Sequence, residues 1–358
     1  MTLFKSLKLA VALGAMAAAS TAAAQPAIER TVKVAPGGLY EIIFNPADND
    51  VYIAAIGPRG AQNAAVIARH DGRTLAAETP ISVAANPLFG LGFNSRTQVL
   101  YGTDTRGGVV SAIDLRTGNI VGTIRHGEGA PHLREVVIDE AANRAYASVV
   151  GMAARGDNPA SPNQIWVING ANQSLDRAIT VETDGLTGIA LDAQRNRIFG
   201  TGMSSNEVVV VDLATDRVTH RWPTTTERPT NIVYDAPGNR LFVASQGTGD
   251  LAVINATDGS VIRKVPTGEG ALSVAFNPAV RQIYVANRTA GTVTIVNSDT
   301  YEVVANLQTG TFPQTIAIDR ATNAVYVTNK ARGLPRGAPA GTPVPEDPAG
   351  DTLVLIRP

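Results

Sequence analysis

Four histidines, His70, His126, His132 and His220, are the only imidazoles in this chain, and it has no cysteine. Thiolate nucleophiles, thiolate metal ligands and disulfides are therefore excluded. The run His126-Gly-Glu128-Gly-Ala-Pro-His132 holds two imidazoles and a carboxylate that could chemically bind zinc, but at no standard ligand spacing, and solvated loop histidines satisfy it as well. No nucleophile elbow or phosphate-binding loop is present; "GEGA", at 127–130 and 268–271, reads as a turn. No catalytic residue, cofactor or metal is expected. The remaining chemistry is ionic and aromatic: Arg59, Arg106, Arg134, Arg155, Arg228, Arg288, Lys330, Arg332 and Arg336, with Phe89, Trp222 and Phe312, each aromatic beside a proline or one residue from it. Cations beside rings suit single-stranded nucleic acid or another extended anion, through phosphate contacts and base stacking. The same residues also suit scattered surface charge and turn packing, so their meaning depends on whether the fold collects them.

A repeat could collect them. The stretch "AIDRATNAVYVTNKA", 317–331, has an apolar strand, an Asx residue, a turn and an alternating strand. Seven positions, Asn45, Asn94, Asp139, Asp192, Asp235, Asn277 and Asp319, are each followed seven residues later by an aromatic: Tyr52, Tyr101, Tyr146, Phe199, Phe242, Tyr284 and Tyr326. Copies begin 49, 45, 53, 43, 42 and 42 residues apart, the period of a four-stranded propeller blade. The Asx side chain can bond the N–H groups just ahead and turn the chain. Strands rich in β-branched residues follow, as in "TVTIVN" and "EVVANL". One such sheet buries too little alone, so seven must pack around an axis into an all-β, seven-bladed propeller of four-stranded antiparallel blades. The last copy lacks its outer strand, and the unassigned "RTVKV" near the N-terminus is predicted to supply it by pairing with Thr352–Ile356.

In an up-and-down blade the second-to-third loops share a face with the links between blades, and that face opens on the central channel. Most second-to-third loops are short, but "GMAARGDNPASPN" and "ARGLPRGAPAGTPVPEDPAG", near 151–163 and 331–350, are long. Long loops on a rigid scaffold carry function or act as idle linkers. Arg288, Lys330, Arg332, Arg336, Arg59, Arg106 and Arg155 fall on these loops in five contiguous blades, opposite Glu207 and Asp250. Arg134 and Arg228 stand beside the links. Four residues before each Asx come Glu41, Gly90, Glu135, Gly188, Asn231, Ser273 and Thr315, which suit a channel wall. Glu41, Glu135 and Asn231 are the polar candidates there, able to hold a cation, to pair with Arg134 or to line a hydrated channel.

"MTLFKSLK", then the apolar run "LAVALGAMAAA" and "TAAAQ", reads as a secretory leader over 1–24, cleaved after Ala24. It is too short for a bilayer span. Cleavage removes two lysines and no acid, leaving 28 basic against 31 acidic residues in a single domain over 25–358. A globally basic surface is excluded, so any anion site is a local cluster. The expectation is a periplasmic, soluble monomer with no membrane insertion.

The tetrapeptide Tyr326-Val327-Thr328-Asn329, with "YVAN" at 284–287 and "FVAS" at 242–245, resembles the YVTN family of β-propellers over nearly all of the mature chain. Within that family "LYEIIFNP", "REVVIDEAANRAY", "TGIALD" and "VAFNPAVRQIYVANRTAGTVTIVN" are most similar to the YncE-type periplasmic propellers. What the resemblance implies is a non-enzymatic seven-bladed domain with single-stranded DNA binding. The expectation is a periplasmic propeller that binds single-stranded nucleic acid or another extended anion at its channel mouth and performs no reaction. The alternatives are an interaction scaffold for an envelope protein, or a periplasmic metal carrier or lactonase-type hydrolase, since propellers host all of these.

Overall fold

The Asx residues act as turn devices in every repeat. In the computed structural model, which describes residues 25–58, 63–127, 129–152, 160–334, 337 and 342–357, each Asx carboxyl or amide oxygen accepts from a backbone N–H two or three residues ahead. Asn45 accepts from Ala47 at 3.1 Å, Asp139 from Ala142 at 2.9 Å and Asp319 from Ala321 at 2.9 Å. Asn94, Asp192, Asp235 and Asn277 do the same. The leader over 1–24 and the candidates Arg59, Arg155 and Arg336 lie outside the described residues.

Each turn joins an inner strand to a second strand, and two further strands complete a four-stranded antiparallel sheet; there are seven such sheets. The inner strands run Leu39–Asn45, Gly90–Asn94, His132–Asp139, Leu186–Asp192, Pro229–Asp235, Ala271–Asn277 and Pro313–Ile318, and we number the blades 1–7 in that order. Blade 7 is completed from the other end of the chain. Ala27–Lys33 pairs antiparallel with Thr352–Arg357, with Thr31 opposite Val354 and Lys33 opposite Thr352. The N-terminal strand therefore closes the ring, as its sequence predicts, though it begins three residues earlier than "RTVKV".

The core consists of seven apolar clusters, each between neighbouring blades. All seven repeat aromatics are at most 3% exposed. Tyr326 shows why: its ring stacks on Phe44 of blade 1 at 5.6 Å, and its hydroxyl donates to the Gly72 carbonyl at 2.8 Å. Burying one such side chain contributes about 1.5–3 kcal/mol. The asparagine that ends the tetrapeptide has another task. Asn329 Nδ2 donates to the Thr309 carbonyl and to Thr352 Oγ1, both at 2.9 Å, and Asn287 bonds the Thr267 carbonyl in the same way one blade earlier. These buried amides fasten the incoming link to the blade it enters, which holds the mouth-side loops in register.

Candidate anion-binding site at the channel mouth

The seven inner strands surround a channel that opens on the face carrying the second-to-third loops and the blade links. A cavity of about 460 Å³ lies at this mouth. Phe89, Arg134, Arg228, Arg288, Lys330, Glu41, Glu135 and Asn231 all line it, although they come from five blades and a blade link. Thr105, Met203 and Gln246, on the second-to-third loops of blades 2, 4 and 5, line the same cavity, so these loops do meet at one opening.

The cations here are held by aromatic rings. Lys330 Nζ sits 3.6 Å from the centre of the Tyr40 ring. Arg288 lies over Phe312 at 4.6 Å, with Arg332 over the same ring at 5.9 Å, and Arg106 lies over Phe89 at 5.3 Å. Tyr40 meets Phe89 edge-on at 4.8 Å, so the rings brace one another. Such contacts contribute about 0.5–2 kcal/mol and orient a charge without neutralising it. Among the described residues no carboxylate lies within ion-pair distance of Arg106, Arg134, Arg228, Arg288, Lys330 or Arg332. Burial pulls Arg288 and Lys330 below their ordinary pKa values, and the proximity of Arg288 adds to the effect at Lys330. These partly desolvated cations collect at one concave opening of a chain of slightly negative net charge, with Glu41 and Glu135 as the carboxylates in the same cavity wall.

Below the mouth lies a level, here called the waist, that two cavities share. Glu41, Glu135, Asn231, Ser273 and Thr315 line both the mouth cavity and a second one of about 250 Å³ beneath it. Glu135 reaches two blades on: its Oε1 accepts from Asn231 Nδ2 at 2.7 Å and its Oε2 from the Ile189 N–H at 3.2 Å. Blades 2 and 4 place glycines at this level. A Cβ on Gly90 would sit 1.9 Å from the Arg134 carbonyl oxygen, and one on Gly188 2.7 Å from that of Thr230, so the close approach of the next strand requires glycine. Burial pushes the Glu41 carboxyl up to about 7. It pushes Glu135 up to about 8, and the negative charge of Glu41 adds to that rise.

Residues 158–335, from the end of the blade 3 insertion into blade 7, match the family described as YNCE-like beta-propeller. Over that segment the chain is similar to the YncE-like β-propellers. It is 30% identical to YncE of Escherichia coli strain K12 over 216 residues, 58% of each chain, and 29% identical to YncE of Salmonella typhimurium strain LT2 over 213 residues, 57% of each. The match thus spans less than two thirds of these relatives. A chain of Kuenenia stuttgartiensis hydrazine synthase superposes with a TM-score of 0.69 at 18% identity, covering 83% of this chain and 94% of that one, and shares the fold alone.

In this propeller several expectations need correction. Trp222 is not at the mouth: it is 6% exposed, packs with Phe199 at 6.1 Å between blades 4 and 5, and lies against Gly259. Its apolar bulk is taken up by the core. The faces of Phe89 and Phe312 are not open platforms for bases either, because guanidinium groups already lie over them. Nor is Glu207 part of a free acidic sector, since it accepts from Arg221 at 3.0 Å and Thr183 at 2.8 Å. The histidine pair does not form a zinc site among the described residues: His126 packs edge-on against Trp166, whereas His132 lines the mouth cavity. Tyr40, Gln246 and Gln314 also line the cavity and are not among the residues that sequence spacing singles out. Tyr40 directly precedes Glu41 on the first inner strand, and that adjacency is the one sequence signal for it.

Proposed function

We propose that this protein is a non-enzymatic binding propeller that holds an anionic ligand at its channel mouth. The observation that carries this is the set of cations laid on aromatic faces with no carboxylate at ion-pair distance among the described residues. Tyr40, Phe89 and Phe312 fix Lys330, Arg106, Arg288 and Arg332 around one opening, with Arg134 and Arg228 in its wall. Preorganised charge of this kind favours a bound anion because little side-chain entropy remains to be lost. Single-stranded DNA is the extended anion we assign first: successive phosphates can contact cations of blades 2, 3, 5, 6 and 7, and bases can stack on the outer faces of the guanidinium groups. We further propose a periplasmic location, reached through the leader over 1–24.

The test is fluorescence anisotropy with a labelled oligonucleotide at increasing salt. Affinity should fall steeply with ionic strength, and replacing Arg288, Lys330 and Arg332 together by Gln should reduce the slope of log K against log salt by about 2, at roughly 0.7 per lost contact on a single strand. No binding at low salt, or an unchanged slope in the triple variant, would overturn the assignment to nucleic acid.

A further inference from the structure

Ser273 is a gap in an otherwise satisfied ring. It occupies the same place in its inner strand as Glu41, Glu135 and Asn231, lines both channel cavities and is 5% exposed, yet its buried hydroxyl has no hydrogen-bond partner among the described residues. Its neighbours are committed. Asn231 donates to Glu135 and accepts from the Val274 N–H at 2.9 Å, and Thr315 donates to the Tyr40 carbonyl at 3.1 Å. A buried hydroxyl without a partner costs about 1–3 kcal/mol, and an incoming polar group would recover that. Each oxygen of Glu135 accepts a single hydrogen bond, so the carboxylate keeps further lone pairs for a donor.

We infer that the channel waist is a second subsite, which takes the ammonium group of a small amphoteric ligand between Glu41, Glu135 and Ser273 while the ligand's anionic group rests among the cations above. The inference depends on the proposed mouth site only for the anionic half. The stacking of the two subsites argues against a free metal ion. A cation entering from the mouth first meets Arg134, Arg228, Arg288 and Lys330, and one entering from below meets Arg320. Among the described residues no three His, Asp or Glu side chains, His132 included, come together so as to hold a metal ion. A molecule carrying both charges satisfies both levels, and about 460 Å³ is room for one of small-metabolite size.

Proton release distinguishes this arrangement from a simple anion site. Besides Glu41 and Glu135, the titratable and charged groups lining the two cavities that meet at the waist are Arg134 and His132 from blade 3, Arg228 from blade 5, Arg288 from blade 6 and Lys330 from blade 7 above, and Arg320 from blade 7 below. Blades 2 and 4 contribute glycine. With Glu41 and Glu135 held at about 7 and about 8, the pair carries protons at neutral pH, and an ammonium group bound between the carboxyls displaces one.

The experiment is isothermal titration calorimetry of the full mature chain at neutral pH, in buffers of differing ionisation enthalpy. The probes are β-alanine, γ-aminobutyrate and ε-aminocaproate, each against the carboxylic acid of the same length without the amine. At least one amino acid should bind about tenfold tighter than its partner, as expected for charged hydrogen bonds in a half-buried site, with release of up to about one proton. Glu135→Gln and, separately, Ser273→Ala should remove that advantage and leave the plain acid unchanged. Equal binding of amine and plain acid at every length sinks the waist subsite but leaves the mouth reading intact. If the acids, the amino acids and the oligonucleotide all fail to bind, both readings fall.

Discussion

Replacing Glu135 by glutamine should make this propeller progressively more stable than the native chain as pH rises. The native carboxyl has its pKa raised from 4.5 to about 8, mainly by burial and then by Glu41. A folded-state value above the unfolded one means that the native protein binds the proton more tightly. The resulting stabilisation is complete below about pH 4.5 and is lost as pH climbs through 8. At 1.36 kcal/mol per pH unit the full shift would cost about 5 kcal/mol in alkaline solution. Glu135 keeps some solvent exposure, and Glu41 can take up part of the strain by titrating first, so we expect about 1–2 kcal/mol of this to appear. The assay is thermal unfolding of native protein and Glu135→Gln at half-unit steps from pH 5 to pH 9. The melting temperature of the variant should gain about 2–4 °C on the native protein across that window. The slope of the difference is what matters, because loss of the Asn231 or Ile189 contact shifts the variant equally at every pH. A difference that stays flat, or one that favours the native chain at high pH, would refute the argument that these carboxyls are held protonated.

Deleting Arg30–Pro36 removes most of the strand paired with Thr352–Arg357 and should lower the melting temperature by more than 10 °C, on the scale of about 2–4 °C per kcal/mol; an unchanged transition in calorimetry would contradict the ring closure. Gly90→Ala places a methyl group 1.9 Å from the Arg134 carbonyl oxygen and should cost about 1–3 kcal/mol in denaturant unfolding, whereas Gly333→Ala, with nothing among the described residues within 4 Å, should be neutral. Phe312→Leu keeps the apolar volume but removes the ring under Arg288 and Arg332; oligonucleotide affinity should fall about fivefold, with little change in melting temperature.

The blades were legible because each carries its own punctuation. An Asx acceptor placed seven residues before a buried aromatic reports both the turn and the strand face, and seven copies report the count. Closure was legible from a deficit: one blade lacked a strand and one strand lacked a blade. The mouth was legible only to the level of loops. Spacing shows that Arg288 and Lys330 share a face, but not that Phe312 and Tyr40 hold them: the first contact joins a blade to the link that leaves it, and the second joins the two ends of the ring. Trp222 misled for the same reason. A tryptophan beside a proline at the end of an outer strand has the same local sequence whether it faces solvent or the neighbouring blade, and here Gly259 leaves room for it to turn inward. Ser273 was legible as small and polar, whereas its missing partner is a property of the assembled ring.

The strand over Ala27–Lys33 finds its partner at Thr352–Arg357, almost the whole polypeptide later. At a synthesis rate of about 5–20 residues per second, tens of seconds pass between the emergence of one and that of the other. For that interval the first blade stands beside an empty seat, and its flank, which Tyr326 and Leu353 will later cover, is bare. A molecule built this way stays open until its final residues arrive, so whatever accompanies the nascent chain must shield that flank until the end.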